Sequence, residues 1–428
     1  MDFVTQFEHT LEQTINSGLL SEARQLLAVY PSTGHPYTIK LFSLINRVRQ
    51  ADSSKKERIL LFQTGNFILD YILEQFRTFF ASEGCKTMVF NPVDYTKSTQ
   101  ALFSFAEKGI DVAYFFNNVG LLQTLNDGRN LWETLHIPCY DFLVDHPMYY
   151  ADSLDYAPAR TTLLCADLTH TDYVRRFYPR VEKAVFLPTG GCEVLSDSKT
   201  WGERDIDVLF IGSYKRNLSC SESELDCRIK EYLRQHTDCT FEQAVEHCQS
   251  CDSKEMLKAL IENHRFSETN LTSDYRKQLM ELLLDAGLEI HVYGNGWEQT
   301  GLFSYPNFHL HSPVPFEEGI NLMSRSKILL NHMAWFKHGS SERIFNAMAQ
   351  GAVCVTDSSR YLDNILQDNV NCLIYSLDDI KLSKTDITNK IAALLSSADT
   401  WSEIAAKGTE TATLHTWQKH LHYAIMDL

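Results

Sequence analysis

A short stretch in the C-terminal part of the chain combines the residue types that bind anions. Residues 338–359 read HGSSERIFNAMAQGAVCVTDSS, a polar turn followed by an amphipathic helix and an apolar strand. A helix N-terminus carries unpaired backbone N–H groups and a partial positive charge, so it attracts phosphate. Ser341 is a candidate N-cap, and Arg343 is placed to neutralise a phosphate oxygen. Ordinary capping, with Arg343 paired to Glu342, would explain the same residues without a ligand.

Two further turns place glycine, basic and aromatic residues directly after an apolar strand. GSYKR (212–216) follows DVLFI, and YGNGW (293–297) follows LEIHV. Glycines let the backbone approach a ligand, two cations suit a diphosphate, and an aromatic ring can stack on a base. The structural alternatives are a solvated basic turn and a tight turn next to a tryptophan in the core.

The N-terminal half contains two weaker candidates. QTGN (63–66) forms a glycine turn after the apolar run ILLF, and Asp145 and His146 follow the run YDFLV. A carboxylate and an imidazole at the end of a strand suit a catalytic base or a pair that binds sugar hydroxyls. A helix-capping aspartate and an ordinary buried histidine would account for them equally well.

Short apolar runs alternate with amphipathic segments and predict the elements that must position these residues. The predicted strands are 59–62, 87–90, 111–116, 140–145, 161–167, 183–188, 205–214, 288–294, 324–332, 352–357 and 371–376. Strands separated by helices indicate a parallel, doubly wound α/β sheet, and the runs fall into two halves. Such sheets bind ligands at the carboxyl ends of their strands, so two facing halves would form a binding cleft.

These patterns divide the chain into four parts. Residues 1–52 are expected to form a helical pair, residues 58–192 a first α/β domain and residues 205–384 a second one. The second domain contains a helical, Cys-rich insertion at 217–273. Residues 385–428 are expected to be helical and to cross back to the first domain.

Composition restricts the partners. The net charge of −16 over 428 residues argues against binding to nucleic acid or to an anionic membrane. No run approaches the roughly 18 apolar residues of a membrane span, and the acidic N-terminal stretch lacks a signal pattern, so a cytoplasmic location is predicted. His247, Cys248 and Cys251, with Cys220, Cys227 and Cys239 nearby, permit a zinc site, but free thiols on a helical insertion are favoured and no metal is predicted.

The order of these motifs resembles the nucleotide-sugar-binding half of GT-B glycosyltransferases. The residues that carry the resemblance are the GSYKR turn, VYGNGW, the SKILLNH run at 326–332 and SERIFNAMAQGAVCVTD. The similar group is the family-4-like one that includes CgeB-type proteins. The resemblance implies a glycosyltransferase that needs no metal or other cofactor. It also implies a nucleotide-diphosphate sugar as the donor, by fold analogy a UDP-sugar, and a glycan or protein as the acceptor. The predicted donor-binding residues are Gly65, Asn66, Gly212, Ser213, Lys215, Arg216, Tyr293, Gly294, Asn295, Trp297, His338, Gly339, Ser340, Ser341, Glu342, Arg343 and Asn346; the predicted catalytic residues are Asp145 and His146.

The chain departs from the family pattern at two positions. Where the pattern has two glutamates, this sequence has His338 and Asn346. The carbonyl of Asn346 could still accept a hydrogen bond from a ribose hydroxyl, whereas His338 cannot replace a carboxylate. The departures leave the stereochemistry open and motivate two alternatives: an inactive, partner-binding GT-B protein and a nucleotide-sugar epimerase. Nothing in the sequence indicates the oligomeric state.

Overall fold

The computed structural model of the protein describes residues 2–52, 56–196, 198–216 and 222–425. The chain divides into two compact units, Met1–Cys165 with Thr171–Val185, and Ala166–His170 with Phe186–Leu428. Each unit contains a six-stranded sheet with helices on its faces. The predicted fold class, two doubly wound α/β units, is therefore confirmed.

The first sheet has the strand order β2-β1-β3-β4-β5-β6, and its strands pair in parallel. Its strands are β1 (Arg58–Phe62), β2 (Lys86–Phe90), β3 (Val112–Phe116), β4 (Cys139–Leu143), β5 (Thr161–Cys165) and β6 (Lys183–Phe186). The helices are α1 (Phe3–Asn16), α2 (Leu20–Val29), α3 (Ile39–Asp52), α4 (Phe67–Ser82), α5 (Tyr95–Ala106), α6 (Leu131–Thr134), α7 (Ala151–Asp155) and α8 (Leu168–Phe177). Every residue of β1, β3, β4 and β5 is buried, as expected for a parallel sheet covered on both faces.

The N-terminal segment forms three helices instead of the predicted pair. α3 follows α2 after the Pro31–Pro36 stretch, where Gly34 adopts a left-handed φ of 68°. Leu11, Ala23 and Tyr30 from this segment share one hydrophobic core with Leu60 of β1. The helical segment is therefore packed into the first unit.

The second sheet has the strand order β12-β11-β10-β7-β8-β9 and is also parallel. Its strands are β7 (Ile206–Ile211), β8 (Ile290–Tyr293), β9 (Phe308–His311), β10 (Ser326–Leu330), β11 (Val353–Thr356) and β12 (Leu373–Ile374). The prediction missed β9, because FHLH contains no continuous apolar run. β9 is an edge strand, and its His309 and His311 pair in register with His291 and Tyr293 of β8.

The helices of the second unit include those of the insertion. They are α9 (Glu224–Gln235), α10 (Phe241–Cys248), α11 (Lys254–His264), α12 (Phe266–Asp285), α13 (Phe316–Arg325), α14 (Glu342–Ala349), α15 (Leu377–Lys381), α16 (Asp386–Leu395), α17 (Ala398–Ala412) and α18 (Trp417–Ile425). α12 begins at Phe266, inside the range 217–273 that was predicted as the insertion, and residues 217–221 of the insertion lie outside the described part of the chain. Ala412 of α17 lies in the same core as Ile344 and Phe345 of α14. The crossing of the terminal helices to the first unit stays a prediction.

Two compositional features have direct structural counterparts. Cys139, Cys165, Cys354 and Cys372 are buried free thiols in or beside strands, where cysteine acts as a small apolar residue. No helix in the described part of the chain has the length and apolar character needed to cross a bilayer.

Candidate functional site

The start of α14 combines free backbone donors with a cation. Ser341 is the N-cap, and its Oγ accepts the N–H of Arg343 at 3.4 Å. The N–H groups of Ser341 and Glu342 have no acceptor among the described residues. The guanidinium of Arg343 approaches Glu342 at only 4.0 Å, between Nε and Oε1, which leaves its other nitrogens open. Open N–H groups next to a guanidinium form an arrangement that binds anions.

A second cation, Arg276 of α12, lies within electrostatic range of Arg343 and was missed from the sequence. Its Nη1 donates to the carbonyl of Ser213 at 2.9 Å, while its Nε is out of contact with solvent and has no acceptor within the described residues. Burial lowers the pKa of Arg276 to about 10, and repulsion by Arg343 contributes to the shift. The sequence pattern could have identified Arg276, because this residue has helical spacing with the buried Leu279, Met280 and Leu283. A cation on the apolar face of a helix needs an anion or a hydrogen-bond acceptor beside it.

The loop from 331 to 341, which leads into α14, is held by buried carboxylates. Asp357, directly after β11, accepts the N–H groups of Met333 at 2.8 Å and Ala334 at 2.7 Å. These bonds fix Ala334 in a left-handed conformation with φ of 52°. Asp167 accepts the N–H of His338 at 2.7 Å. The two carboxylates thus position the loop before any ligand is present.

The predicted donor-binding residues Gly339 and Ser340 belong to this internal bonding. A Cβ at Gly339 would lie 2.4 Å from the carbonyl oxygen of Ala166, so only glycine fits. The side chain of Ser340 is fully buried, with its Oγ 3.2 Å from Oγ1 of Thr189. The hydroxyl of Ser340 is therefore part of the loop support, and a donor-binding role for Ser340 stays a prediction.

Burial shifts the pKa values of two ionisable side chains of the same loop. Lys337 donates from Nζ to the carbonyl of Ala334 at 2.9 Å, and burial lowers its pKa to about 8 although Asp357 acts in the opposite direction. Burial also holds the pKa of His332 well below its usual value, and its Nδ1 lies 3.0 Å from the hydroxyl of Tyr375. His332 is therefore neutral at physiological pH, and Arg276 and Arg343 provide the fixed positive charge here.

The turns after β7 and β8 are joined to each other by backbone hydrogen bonds. The N–H of Gly212 donates to the carbonyl of Tyr293 at 2.9 Å, and the N–H of Asn295 donates to Oγ of Ser213 at 3.2 Å. A Cβ at Gly294 would lie 2.1 Å from the carbonyl oxygen of Gly212. The glycine is thus required by close packing of two protein backbones.

Trp297 does not have the role that the sequence suggested. Its side chain is fully buried, and its Nε1 donates to the carbonyl of Gly212 at 2.8 Å. Its ring packs against Phe210 and Tyr214 with centroid separations of 5.5 and 5.6 Å. With no exposed face, Trp297 cannot stack on a nucleobase, so the alternative interpretation, a core tryptophan, is correct.

The side chain of Asn346 is bonded within the protein. Its Oδ1 accepts the N–H of Cys192 at 2.8 Å, and this donor fixes the orientation of the amide. Its Nδ2 is buried and has no acceptor in the described structure. The carbonyl of Asn346 is thus already bonded to the backbone of Cys192, and the acceptance of a ribose hydroxyl by its second lone pair stays a prediction. The ring of His338 lies 6.3 Å from that of Phe186 and remains partly exposed.

The two basic residues after β7 are on the surface. Lys215 and Arg216 are both exposed. Arg216 lies 3.5 Å from Asp274, which raises the pKa of Arg216 and also pairs with Arg234 at 3.2 Å. Because Asp274 already offsets its charge, Arg216 is a weaker anion-binding candidate than Arg276.

The turn after β1 uses its polar groups internally. Oδ1 of Asn66 accepts the N–H groups of Ile68 at 3.0 Å and Leu69 at 3.3 Å, so Asn66 is the N-cap of α4. The N–H of Gly65 donates to Asp70 at 3.1 Å, and its φ of 78° requires glycine. Capping therefore explains Asn66, and a donor-binding role for Gly65 and Asn66 has no support in this geometry.

The two predicted catalytic residues have different environments. Asp145 is exposed, and its Oδ2 accepts hydrogen bonds from Nδ2 of Asn117 at 3.3 Å and from the hydroxyl of Tyr150 at 2.9 Å. His146 is buried, and its Nδ1 accepts the N–H of Met148 at 3.1 Å as the N-cap of a 3₁₀ helix. Asp145 is therefore the accessible group of the pair.

Among the described residues, no group of three or more His, Cys, Asp or Glu side chains is arranged to hold a metal ion. Burial raises the pKa of the Cys239 and Cys248 thiols, which disfavours the thiolate that zinc requires. Cys220 lies outside the described residues. Metal independence stays a prediction.

Comparison with known proteins shows which family and which solved structures the chain is similar to. Residues 276–425 match the sequence model of the family described as glycosyl transferase-like. An α-glucosyltransferase solved with UDP and a 13-mer DNA superposes with a TM-score of 0.53 at 10% identity, covering 85% of this chain and 96% of that one. A sucrose-phosphate synthase from Thermosynechococcus elongatus gives 0.48 at 9% identity, covering 86% and 97%. The Anabaena HepE protein with UDP and glucose gives 0.44 at 10% identity, covering 86% and 99%. No curated protein sequence is significantly similar to the chain.

Two parallel six-stranded sheets and the superposition with the α-glucosyltransferase define the GT-B fold. The matched segment runs from Arg276 through the 331–341 loop and α14 to the C-terminal helices. The chain therefore has the GT-B fold, and its second unit carries the segment that matches the glycosyl transferase-like family. The family resemblance inferred from the sequence is confirmed.

Proposed function

We propose that the protein transfers a sugar from a nucleoside-diphosphate sugar, with a UDP-sugar favoured, to an acceptor hydroxyl of a glycan or protein. The observation that carries this proposal is the open N-terminus of α14 with Arg343 in its first turn, together with the buried Arg276, which Arg343 repels. The side-chain Nε of Arg276 has no acceptor, and Arg343 has only a distant carboxylate within the described structure. A diphosphate supplies the negative charge that these groups lack.

The same groups act on the step that breaks the donor. The acceptor oxygen forms a bond to the anomeric carbon while the bond from that carbon to the diphosphate oxygen breaks. The electron pair of the broken bond leaves with the nucleoside diphosphate, and the proton of the acceptor hydroxyl passes to the diphosphate or to solvent. Donors already oriented toward the diphosphate oxygen stabilise the developing charge more than they stabilise the ground state. The loop that holds them is fixed by Asp357 and Asp167, so little reorganisation is needed. This chemistry requires no metal ion, and we propose that none is used.

Support for uridine and for the acceptor comes from analogy. The α-glucosyltransferase and the HepE protein were both solved with UDP. The former was also solved with DNA, so a DNA oligonucleotide belongs in an acceptor panel although the net charge of −16 argues against it. Asp145 of the first unit is the group that we assign to the acceptor hydroxyl.

Thermal unfolding with UDP, GDP, CDP, ADP and dTDP, each with Mg²⁺ or EDTA, tests the donor site. A ligand at about 100 times its Kd stabilises the protein by about 2.7 kcal/mol, an easily measured shift. We expect UDP to give this shift in EDTA and Arg343→Gln to lose it. Arg77→Gln removes an equal charge from an exposed pair with Glu74 and should keep the shift. If no diphosphate changes the unfolding temperature of the wild type, the proposal is wrong.

A further inference from the structure

The carboxyl edge of the first sheet carries a hydrogen-bonded polar cluster that the donor site does not include. Its members follow neighbouring strands: Asn117 and Asn118 come directly after β3, and Asp145 comes shortly after β4. Tyr150 is contributed by the 3₁₀ helix Pro147–Tyr150, which begins next to Asp145. Ligands bind at this edge in open parallel sheets.

One oxygen of Asp145 is fixed and the other is open. Both hydrogen bonds, from Asn117 at 3.3 Å and from Tyr150 at 2.9 Å, reach Oδ2. Oδ1 has no partner among the described residues, and the side chain is exposed. Two donors on a single oxygen prevent rotation of the carboxylate and leave its other oxygen available to a ligand. A carboxylate that only capped the backbone would use its oxygens on N–H groups instead.

The donor side chain of Asn117 is itself held in place. Its Oδ1 accepts the N–H of Val144 at 3.0 Å, which orients the amide so that Nδ2 faces Asp145. Asn117 and Asn118 are consecutive left-handed residues, with φ of 50° and 61°. The N–H of Asn118 donates to both oxygens of the buried Asp141, at 3.1 and 3.2 Å. A costly backbone conformation is thus maintained by a carboxylate in the middle of β4.

We infer that Tyr150 and Asn117 are positioning residues that hold Asp145 so that its open Oδ1 receives the acceptor hydroxyl. This inference rests on the proposed transferase function and adds the residues that prepare its acceptor side. Oδ1 accepts a hydrogen bond from the O–H of the acceptor and so fixes the orientation of the acceptor oxygen. Nδ1 of His146 is not available for this contact, because it accepts the N–H of Met148.

A double-mutant cycle distinguishes positioning from a structural role. The full chain would be compared as wild type, Tyr150→Phe, Asp145→Asn and the double variant, with Tyr156→Phe, an exposed tyrosine of the same unit, as the control. The probes are UDP-glucose, UDP-galactose and UDP-N-acetylglucosamine with water as acceptor, and UDP affinity is measured by calorimetry. Loss of one hydrogen bond to the carboxylate should lower the rate about tenfold in Tyr150→Phe. In the Asp145→Asn background the same change should have an effect below about twofold, because Tyr150 acts through Asp145.

UDP affinity should stay unchanged in all these variants, which separates the acceptor side from the donor side. Asn117→Gly is a second test, because glycine adopts the φ of 50° but lacks the amide. It should reproduce the Tyr150→Phe loss of rate.

Equal effects of Tyr150→Phe in both backgrounds, or full activity of both variants, would overturn the inference while leaving the donor site intact. A wild type that binds UDP but hydrolyses none of the three sugars would also count against it, because water can reach an exposed carboxylate. A wild type that binds no UDP would overturn the proposed function itself.

Discussion

Replacement of Arg276 by methionine is the sharpest test of the donor site. Arg276→Met keeps much of the side-chain volume and removes the guanidinium that lies within electrostatic range of Arg343. The pKa of Arg276 falls from 12.5 to about 10, so its surroundings disfavour the charged form by about 3 kcal/mol in the absence of a ligand. A diphosphate would reverse that penalty and gain a charge-assisted hydrogen bond.

The expected effects on binding and on folding therefore have opposite signs. Loss of a charge-assisted hydrogen bond costs about 2 kcal/mol, which weakens UDP binding about 30-fold. Without UDP, the variant loses the bond to the carbonyl of Ser213, worth about 1 kcal/mol, and relieves the unfavourable charge. Its free energy of unfolding should then equal or exceed that of the wild type. Titration calorimetry with UDP measures the first effect, and urea denaturation of the free protein measures the second.

The neighbouring residue provides a matched control. Lys277 is on the same helix, is 36% exposed and pairs with Glu281 at 3.5 Å on the solvent side. Lys277→Met removes the same charge, so it should change UDP affinity by less than about twofold, the scale of an exposed ion pair. The reasoning would be refuted if Arg276→Met bound UDP as the wild type does, or if both variants lost the same affinity. A large loss of stability in Arg276→Met alone would indicate a structural role for the guanidinium.

Three further changes test how the fold supports this site. Arg204→Met should lower the unfolding free energy by about 3 kcal/mol in urea, because the buried guanidinium of Arg204 donates to the carbonyls of Ser326 at 2.6 Å and Gln350 at 2.9 Å, and both would lose this donor. Burial lowers the pKa of His420 to about 4, so between about pH 6.5 and 4 only the unfolded chain takes up a proton at this residue. Lowering the pH through this window should therefore remove about 3 kcal/mol of stability. Urea titrations of His420→Gln should lack that part of the pH dependence. Gly294→Ala should destabilise the second unit by about 2 kcal/mol in thermal unfolding and weaken UDP binding, since its Cβ would lie 2.1 Å from the carbonyl oxygen of Gly212.

Each change has a control of the same type. Arg129 is exposed and bonded to Asp127, so Arg129→Met should cost less than about 1 kcal/mol. His422 is exposed, and His422→Gln should leave the acid-induced loss of stability in place. A Cβ at Gly202 would have no atom within 4 Å, so Gly202→Ala should be close to neutral. Equal losses in a test variant and its control would contradict the corresponding argument.

The periodic pattern of the sequence was sufficient for the architecture. Uninterrupted apolar runs such as ILLF and VAYFF, which alternate with helical segments, favour strands buried on both faces of a parallel sheet covered by helices. Ser341 was recognisable as an N-cap because capping depends on residues within one turn of the helix. The strand β9 escaped because its histidines lie on an edge strand and interrupt the apolar run.

Tertiary structure decided which candidate residues are open to a ligand. Trp297 and Asn346 seemed suited to ligand contacts, but their polar groups bond Gly212 and Cys192, which are 85 and 154 residues away along the chain. Arg276 belongs to no recognisable sequence motif, yet the fold brings its guanidinium within electrostatic range of Arg343. Local propensity and periodicity are properties of neighbouring residues, so the sequence alone determined the two α/β units and the helix start at Ser341. Which polar atoms remain unpaired depends on contacts between distant segments, and that was settled only by the folded chain.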